Sequence, residues 1–347
     1  MQCDIAIVGG GLAGLALADH LARAGADFQV FEARNHLGGR VVSHHVEDFA
    51  FDLGPSWFWP GQHRMAALCK RFGITWFDQH SAGSFLLETE TGDVKRDMGL
   101  ATMQASWRIE GGSAAVVEAL AVSLPKERLH LGQVVRSMSQ AHGITFADGS
   151  QCYAQKIVLA VPPRVAAQLS FAPVLSERQQ TALDTIPTWM AAHAKFFAVY
   201  DRPFWRAAGL SGDAISRKGP LAEIHDASAA DGTPAALLGF VGVPATVRQT
   251  DEGGLKSAAV AQLVALFGPE AAAPREIILK DWAFETLTAG EADRVPPSHH
   301  PTYGLPEALT DLWDGGLHFC VTETAPICGG FMEGALAAAE DVAAKLL

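Results

Sequence analysis

Cys3-Asp4-Ile5-Ala6-Ile7-Val8-Gly9-Gly10-Gly11-Leu12-Ala13-Gly14 decides the fold of this 347-residue chain. The apolar, β-branched run 3–8 reads as a buried strand. It meets glycines at 9, 11 and 14, and a helical pattern runs from Leu12 to Ala24. Gly25 follows at the position where a helix end favours glycine. A second strand, Phe28 to Phe31, ends in Glu32. Each residue has a physical job. Gly9 permits a tight strand-to-helix turn, Gly11 lets the backbone approach a pyrophosphate, and Gly14 lets helix and strand pack closely. The helix start at Leu12 and Ala13 offers free N–H groups and a positive dipole end to phosphates. Glu32 stands where an acid can accept hydrogen bonds from ribose hydroxyls. Three glycines alone are a weak signal. Strand, glycines, helix, strand and acid in this order predict a dinucleotide site.

The bulk numbers bound the rest. The length allows a large core in two domains. Hydrophobic residues make up 49% and charged residues 18%, which suits a globular protein and excludes a disordered one. Acidic residues number 38 and basic residues 26, and no basic run is interleaved with aromatics, so nucleic acid is not an expected partner. The five cysteines, 3, 69, 152, 320 and 328, are scattered without a CxxC pair. They predict reduced thiols in a cytoplasmic protein and no zinc site. The chain opens directly on the first strand, without a cleavable apolar leader. Its alanine-rich C-terminal helix falls short of the ~20 apolar residues a membrane span needs. The histidine pairs 44–45 and 299–300 lack companions at metal-ligand spacing and read as loop residues.

Four further stretches carry chemistry. Glu32-Ala33-Arg34 runs into Leu37-Gly38-Gly39-Arg40, and an apolar strand at 49–52 runs into Leu53-Gly54-Pro55-Ser56-Trp57. Residues 193–200 read as a strand whose alternation puts His193, Lys195, Phe197 and Val199 on one face. Arg202-Pro203-Phe204-Trp205-Arg206 follows. A lysine on an apolar face is costly unless its ammonium finds water or a partner, so read alone Lys195 is a snorkelling edge residue. Near the end, a strand at 317–321 leads to Thr322-Glu323-Thr324, then Gly329-Gly330, then a helix opening at Phe331-Met332.

Together these stretches resemble the flavin amine oxidase family, which includes monoamine and polyamine oxidases. The resemblance spans nearly the whole chain and is strongest at 3–57, 108–165, 193–206 and 317–340. It implies an α/β fold: a Rossmann-type FAD-binding domain with an inserted α+β substrate domain. Residues 1–75, 108–167 and 304–347 would form the first, and 76–107 with 168–303, where strands and loops predominate, the second. It implies non-covalent FAD, since Thr302 stands where monoamine oxidases carry the cysteine that binds FAD. Arg40 would lie near the phosphates beside Gly38 and Gly39, Val135 at the adenine, and Leu53 to Ser56 along the flavin ring. Glu323 would accept from ribityl hydroxyls. The helix start at Met332 would face the flavin edge that gains negative charge on reduction. Lys195 would hold a water at flavin N5. Trp282 would pack near the flavin, with Tyr303 and Phe331 as two walls of an aromatic cage.

The implied activity is oxidation of an amine to an imine, with O2 as acceptor and hydrogen peroxide as product. The acidic surface would mildly attract a cationic amine. The segment 75–107 is much shorter than the matching insertion in larger members, so a reduced lid and a more open cavity are expected. Two other readings stay open here. One is a flavin desaturase or nicotinamide oxidase, as in renalase-like relatives of the fold. The other is a non-catalytic flavin-binding module. An amino-acid oxidase would need an arginine at the substrate carboxylate, for which Arg206 and Arg217 are the candidates.

Overall fold

The computed structural model describes residues 1–97 and 101–347, so three residues of the expected lid lie outside the described residues. Two large sheets organise the chain. At the centre of the first, strand Gln2–Val8 runs parallel to both Phe28–Phe31 and Gln151–Leu159. Ile5 to Val8 is buried on both faces, which is why that part of the strand is apolar without alternation. Leu317–Phe319 pairs in parallel on the same Gln151–Leu159 strand, so the two ends of the chain meet in one sheet. Helix Leu12–Arg23 packs on this sheet beside the C-terminal helix Met332–Leu346, burying Leu15, Leu17, Leu336 and Val342 in one core. The Asp148-Gly149 turn joins strands Gly143–Phe146 and Gln151–Leu159 as a hairpin signal predicts.

The first sheet extends past the expected domain change at 167. Strand Ser170–Ala172 pairs with Val135–Ser139, and helix Glu177–Thr185 packs Leu183 into the same core. The helix starts at a capping box formed by Ser176 and Gln179.

The second sheet runs Glu276–Asp281, Ala194–Tyr200, Ala235–Val241, Leu221–Asp226, Leu210–Ser216, Ser84–Glu88, Val94–Arg96. Its faces differ. Phe196, Ala198, Tyr200 and Leu237 are buried on one side with Leu255, Ala259 and Leu263 of helix Glu252–Phe267. That helix is the long exception in a stretch, 168–303, where strands and loops predominate as expected. It is apolar on most sides and opens on Gly253-Gly254, so no polar stripe announces it. The other face carries Phe197, Val199 and Leu238, packed on Phe51 and Trp57 from the first unit. The short segment after residue 75 extends this sheet by two strands, and Trp76–Asp78 pairs with Trp107–Ile109. Among the described residues no helix is long and apolar enough to cross a membrane.

Candidate active site

One cavity of about 720 Å³ is walled by residues of both sheets. At one end, strand Gln2–Val8 turns into helix Leu12–Arg23. Gly9 sits at φ +112°, and a Cβ there would lie 2.6 Å from the Ala160 carbonyl. A Cβ on Gly14 would lie 2.1 Å from the Gly9 carbonyl, so Gly14 serves the helix–strand contact and stays out of the cavity wall. Gly11 differs. A Cβ there would meet nothing nearer than 3.7 Å, and the residue lines the cavity. No protein atom demands a glycine at 11, which suits a group that approaches the backbone from the cavity. Leu12 and Ala13 line the cavity beside it, and no side chain caps the helix start.

The acid after the second strand is placed by the same turn. Glu32 Oε2 accepts from the Gly10 N–H at 2.7 Å, and Oε1 from the Arg34 N–H at 2.9 Å. Ala33, Arg34, Gly38, Gly39, Arg40 and Val135 also line the wall. The Arg34 guanidinium turns to Glu285, 3.2 Å away. Both Glu323 oxygens accept from the Arg40 guanidinium, and Glu323 is fully buried outside the wall. Thr322 is in the wall and donates to the Phe331 carbonyl at 2.7 Å, which ties it to the start of helix Met332–Leu346. Met332 lines the cavity there.

Midway, Leu53, Gly54, Pro55, Ser56 and Trp57 form a wall. Lys195 Nζ donates to the carbonyls of Asp52 and Gly54 and to Ser56 Oγ, at 2.5–3.0 Å. An ammonium has three hydrogens, and all three go to this loop, so none is left for a water in this arrangement. Burial pushes the Lys195 amine down to about 7; the buried Asp52 carboxylate works against that shift and Arg108 adds to it. Trp282 Nε1 holds the same loop through the Leu53 carbonyl at 2.8 Å.

The far end is aromatic. Phe331 lines the cavity, edge-on to Trp59 at 6.0 Å. Tyr303 does not line it. The Tyr303 hydroxyl donates to the Pro187 carbonyl at 2.8 Å, and His300 lies between the two expected walls. Its ring stacks on Phe331 at 5.2 Å and 14°, and stands edge-on to Tyr303 at 5.7 Å. Trp189, 4.7 Å from His300, takes a place in the wall, next to Met190 with its left-handed φ of +63°.

The family model for flavin containing amine oxidoreductases matches residues 12–94 and 77–347. The chain belongs to that family. It is 25% identical to a probable flavin-containing monoamine oxidase A of Dictyostelium discoideum, over an alignment covering 96% of this chain and 95% of the other. It is 24% identical to human amine oxidase [flavin-containing] B, with all of this chain and 86% of the other covered. These alignments run to 442 and 454 positions against a chain of 347, so the relatives carry segments that this chain lacks. Among solved structures, a putrescine oxidase double mutant superposes with a TM-score of 0.86 at 20% identity, covering 100% of this chain and 99% of that one.

This flavin amine oxidase therefore uses FAD, and its α/β fold is that of its family. The open face at Gly11, the uncapped helix starts and the wall at Gly54 to Ser56 fit such a dinucleotide. The candidate arginines for a substrate carboxylate stand elsewhere: Arg206 is held by the buried Asp226, and neither it nor Arg217 lines the cavity. Among the described residues, Arg34 and Arg40 are the only arginines of the wall, both near the glycine-rich end. His193 does line the wall, with its buried Nδ1 lacking a hydrogen-bond partner. Trp59, Trp189, Glu223 and Phe240 are wall residues that sequence reasoning missed, while His300 packs behind Phe331 and stays out of the wall. Each comes from a loop or strand with no motif of its own.

Proposed function

We propose that the protein oxidises a small primary amine to an imine, with non-covalent FAD as first acceptor and O2 as second, yielding hydrogen peroxide. Water then splits the imine to an aldehyde and ammonia. The observation that carries this reading is Lys195, an aliphatic amine fixed on the Gly54–Ser56 loop in the same cavity whose other end is the open glycine turn. FAD supplies the two-electron chemistry when bound. The residues of this chain do the rest. Gly9, Gly11, Leu12 and Ala13 receive the pyrophosphate, Glu32 the ribose, and Gly38, Gly39 and Arg40 flank them. Lys195 and Trp282 hold the loop against which the ring lies. The apolar rings of Trp59, Trp189 and Phe331 desolvate the amine and favour its neutral form, which needs no separate base to enter reaction. Thr302 offers no thiol for a covalent link. The five free cysteines suit a reducing compartment, as in the cytoplasm.

The test is an anaerobic screen of amines, amino acids and NADH while the visible flavin band is followed. Bleaching by amines and not by NADH is expected. Bleaching by NADH alone overturns the reading in favour of a nicotinamide oxidase.

A further inference from the structure

The short segment after residue 75 reaches the cavity through one side chain. Gln79, which follows strand Trp76–Asp78, is buried. Its amide is a three-way brace. Oε1 accepts from the Trp57 indole N–H at 2.8 Å, and Nε2 donates to the carbonyls of Asp226 at 2.7 Å and His80 at 3.1 Å. Both N–H donors and the carbonyl acceptor of the amide are thus used. The backbone N–H of Gln79 donates to the Ser106 carbonyl at 2.9 Å. Gln79 does not line the cavity, but Trp57 does.

The face of that indole is turned to the lysine. Lys195 Nζ lies 5.4 Å from the Trp57 ring centre and 5.6 Å from that of Phe240, so two rings flank the ammonium that holds the Gly54–Ser56 loop. Both distances fall within the ~6 Å at which a ring face attracts a cation. The attraction lasts only while the face stays on the charge, because the edge of an aromatic ring is its positive part. Trp57 meets His225 edge-on at 5.2 Å and Phe240 at a tilt, contacts that fill space without fixing a direction as a hydrogen bond does. The bond to Gln79 supplies that direction.

Other charged and titratable groups surround the amine. Asp52 stands in the loop it binds, Arg108 on strand Trp107–Ile109, Glu223 and His225 on the strand beyond Phe240, and His193 two residues back on its own strand. Lys280, its cross-strand partner, turns its ammonium to Glu285. Gln79 is uncharged, so its influence on the amine runs through the orientation of Trp57.

We propose that Gln79 is a positioning residue for the amine oxidation proposed above, on which this inference rests: it fixes the Trp57 indole face-on to the Lys195 ammonium and so ties the short segment after residue 75 to the working state of that lysine.

The experiment reads the lysine in FAD-loaded protein. Gln79→Met fills similar space and cannot brace the indole. Flavin reduction by saturating amine should slow about threefold to thirtyfold, the factor a desolvated cation–π contact supplies. The second reading needs no substrate. Lys195 releases its proton near pH 7 when folded and near 10.5 when unfolded, so the melting temperature climbs with pH between those values. With less to favour the ammonium, the climb in Gln79→Met should begin about half a unit to one and a half units lower. Trp57→Phe leaves Gln79 on Asp226 and His80 and drops the braced N–H, so it should move both readings the same way. In a Trp57→Phe background, Gln79→Met should move neither further. A melting temperature lowered equally at every pH, with flavin reduction unchanged, makes Gln79 merely structural and overturns the proposal. So does a Gln79→Met effect that persists undiminished in Trp57→Phe. Should Gln79→Met not fold, unchanged readings in Trp57→Phe overturn it alone. If no amine bleaches the flavin, the amine oxidase reading fails, while the onset of the pH climb still decides the role of Gln79.

Discussion

The two ends of the cavity are built from different materials. At the dinucleotide end the working parts are backbone: a turn at Gly9, open N–H groups at a helix start, and one carboxylate bonded to two backbone N–H groups. At the far end they are side chains from separate strands and loops: Lys195, Phe240 and Glu223 from three strands, Trp59, Trp189 and Phe331 from three loops. A backbone device constrains residue types over a short stretch. A side-chain device constrains only the final superposition of distant stretches. The first end is therefore rigid and intolerant, and the second is adjustable.

The glycines test this most severely. Gly14→Ala places a Cβ against the Gly9 carbonyl, and neither backbone can yield without parting helix and strand. Overpacking of this kind destabilises by about 1–3 kcal/mol. Here the cofactor turn moves as well, so the purified variant should be colourless and melt lower. Gly11→Ala is the counterpart. With nothing nearer than 3.7 Å, it should leave the melting temperature of the FAD-free protein unchanged and weaken FAD retention. Equal loss of fold in both variants would erase the distinction between a glycine required by the protein and one left open to the ligand.

Lys195 links the two ends, because it binds the loop that separates them. Lys195→Met should keep FAD and slow flavin turnover more than tenfold, the scale of losing charge-assisted bonds to a buried loop. Its pH signature is directional. The folded protein releases the lysine proton near pH 7, the unfolded chain near 10.5. Between those values the unfolded state holds more protons, so wild-type stability climbs with pH across this window and is lost on descent towards 7. Melting curves of wild type and Lys195→Met, compared from pH 6 to 10 (a span of roughly the lysine shift), should show that climb in the wild type alone. A parallel pair of curves would remove Lys195 as its source.

The same contrast explains what could be read in advance. The strand, glycines, helix and acid of 3–32 are dictated by local backbone needs, so their order revealed the first sheet and its ligand class. Helix Glu252–Phe267 was hidden because its exposed face is largely glycine and alanine, Gly253, Gly254, Ala258, Ala261 and Ala265, so no charged stripe sets it off from its buried face. The strand at 170–172 was hidden because three residues carry no period. Glu223 was hidden for a sharper reason. The ladder between Leu221–Asp226 and Ala235–Val241 shifts register between Leu221 and Glu223, and a one-residue slip sends a side chain to the opposite face. No count along the chain reveals such a bulge. His300, read as a loop residue, is in a loop, but nothing in its neighbours says that the loop folds back between Tyr303 and Phe331.

That last arrangement yields the mildest prediction. Tyr303 and Phe331 were expected as equal walls of one cage, yet only Phe331 borders the cavity. Phe331→Ala should raise KM for an amine substrate several-fold, since it removes an aromatic face beside Trp59. Tyr303→Phe removes one hydrogen bond to the Pro187 carbonyl and keeps the ring on His300. It should lower stability by about 1 kcal/mol, the usual net worth of such a bond, and leave KM nearly unchanged. Steady-state kinetics and melting curves on the two variants separate the roles. If Tyr303→Phe shifts KM as strongly as Phe331→Ala, then His300 moves aside in the working enzyme, and the pair closes on the substrate from both sides after all.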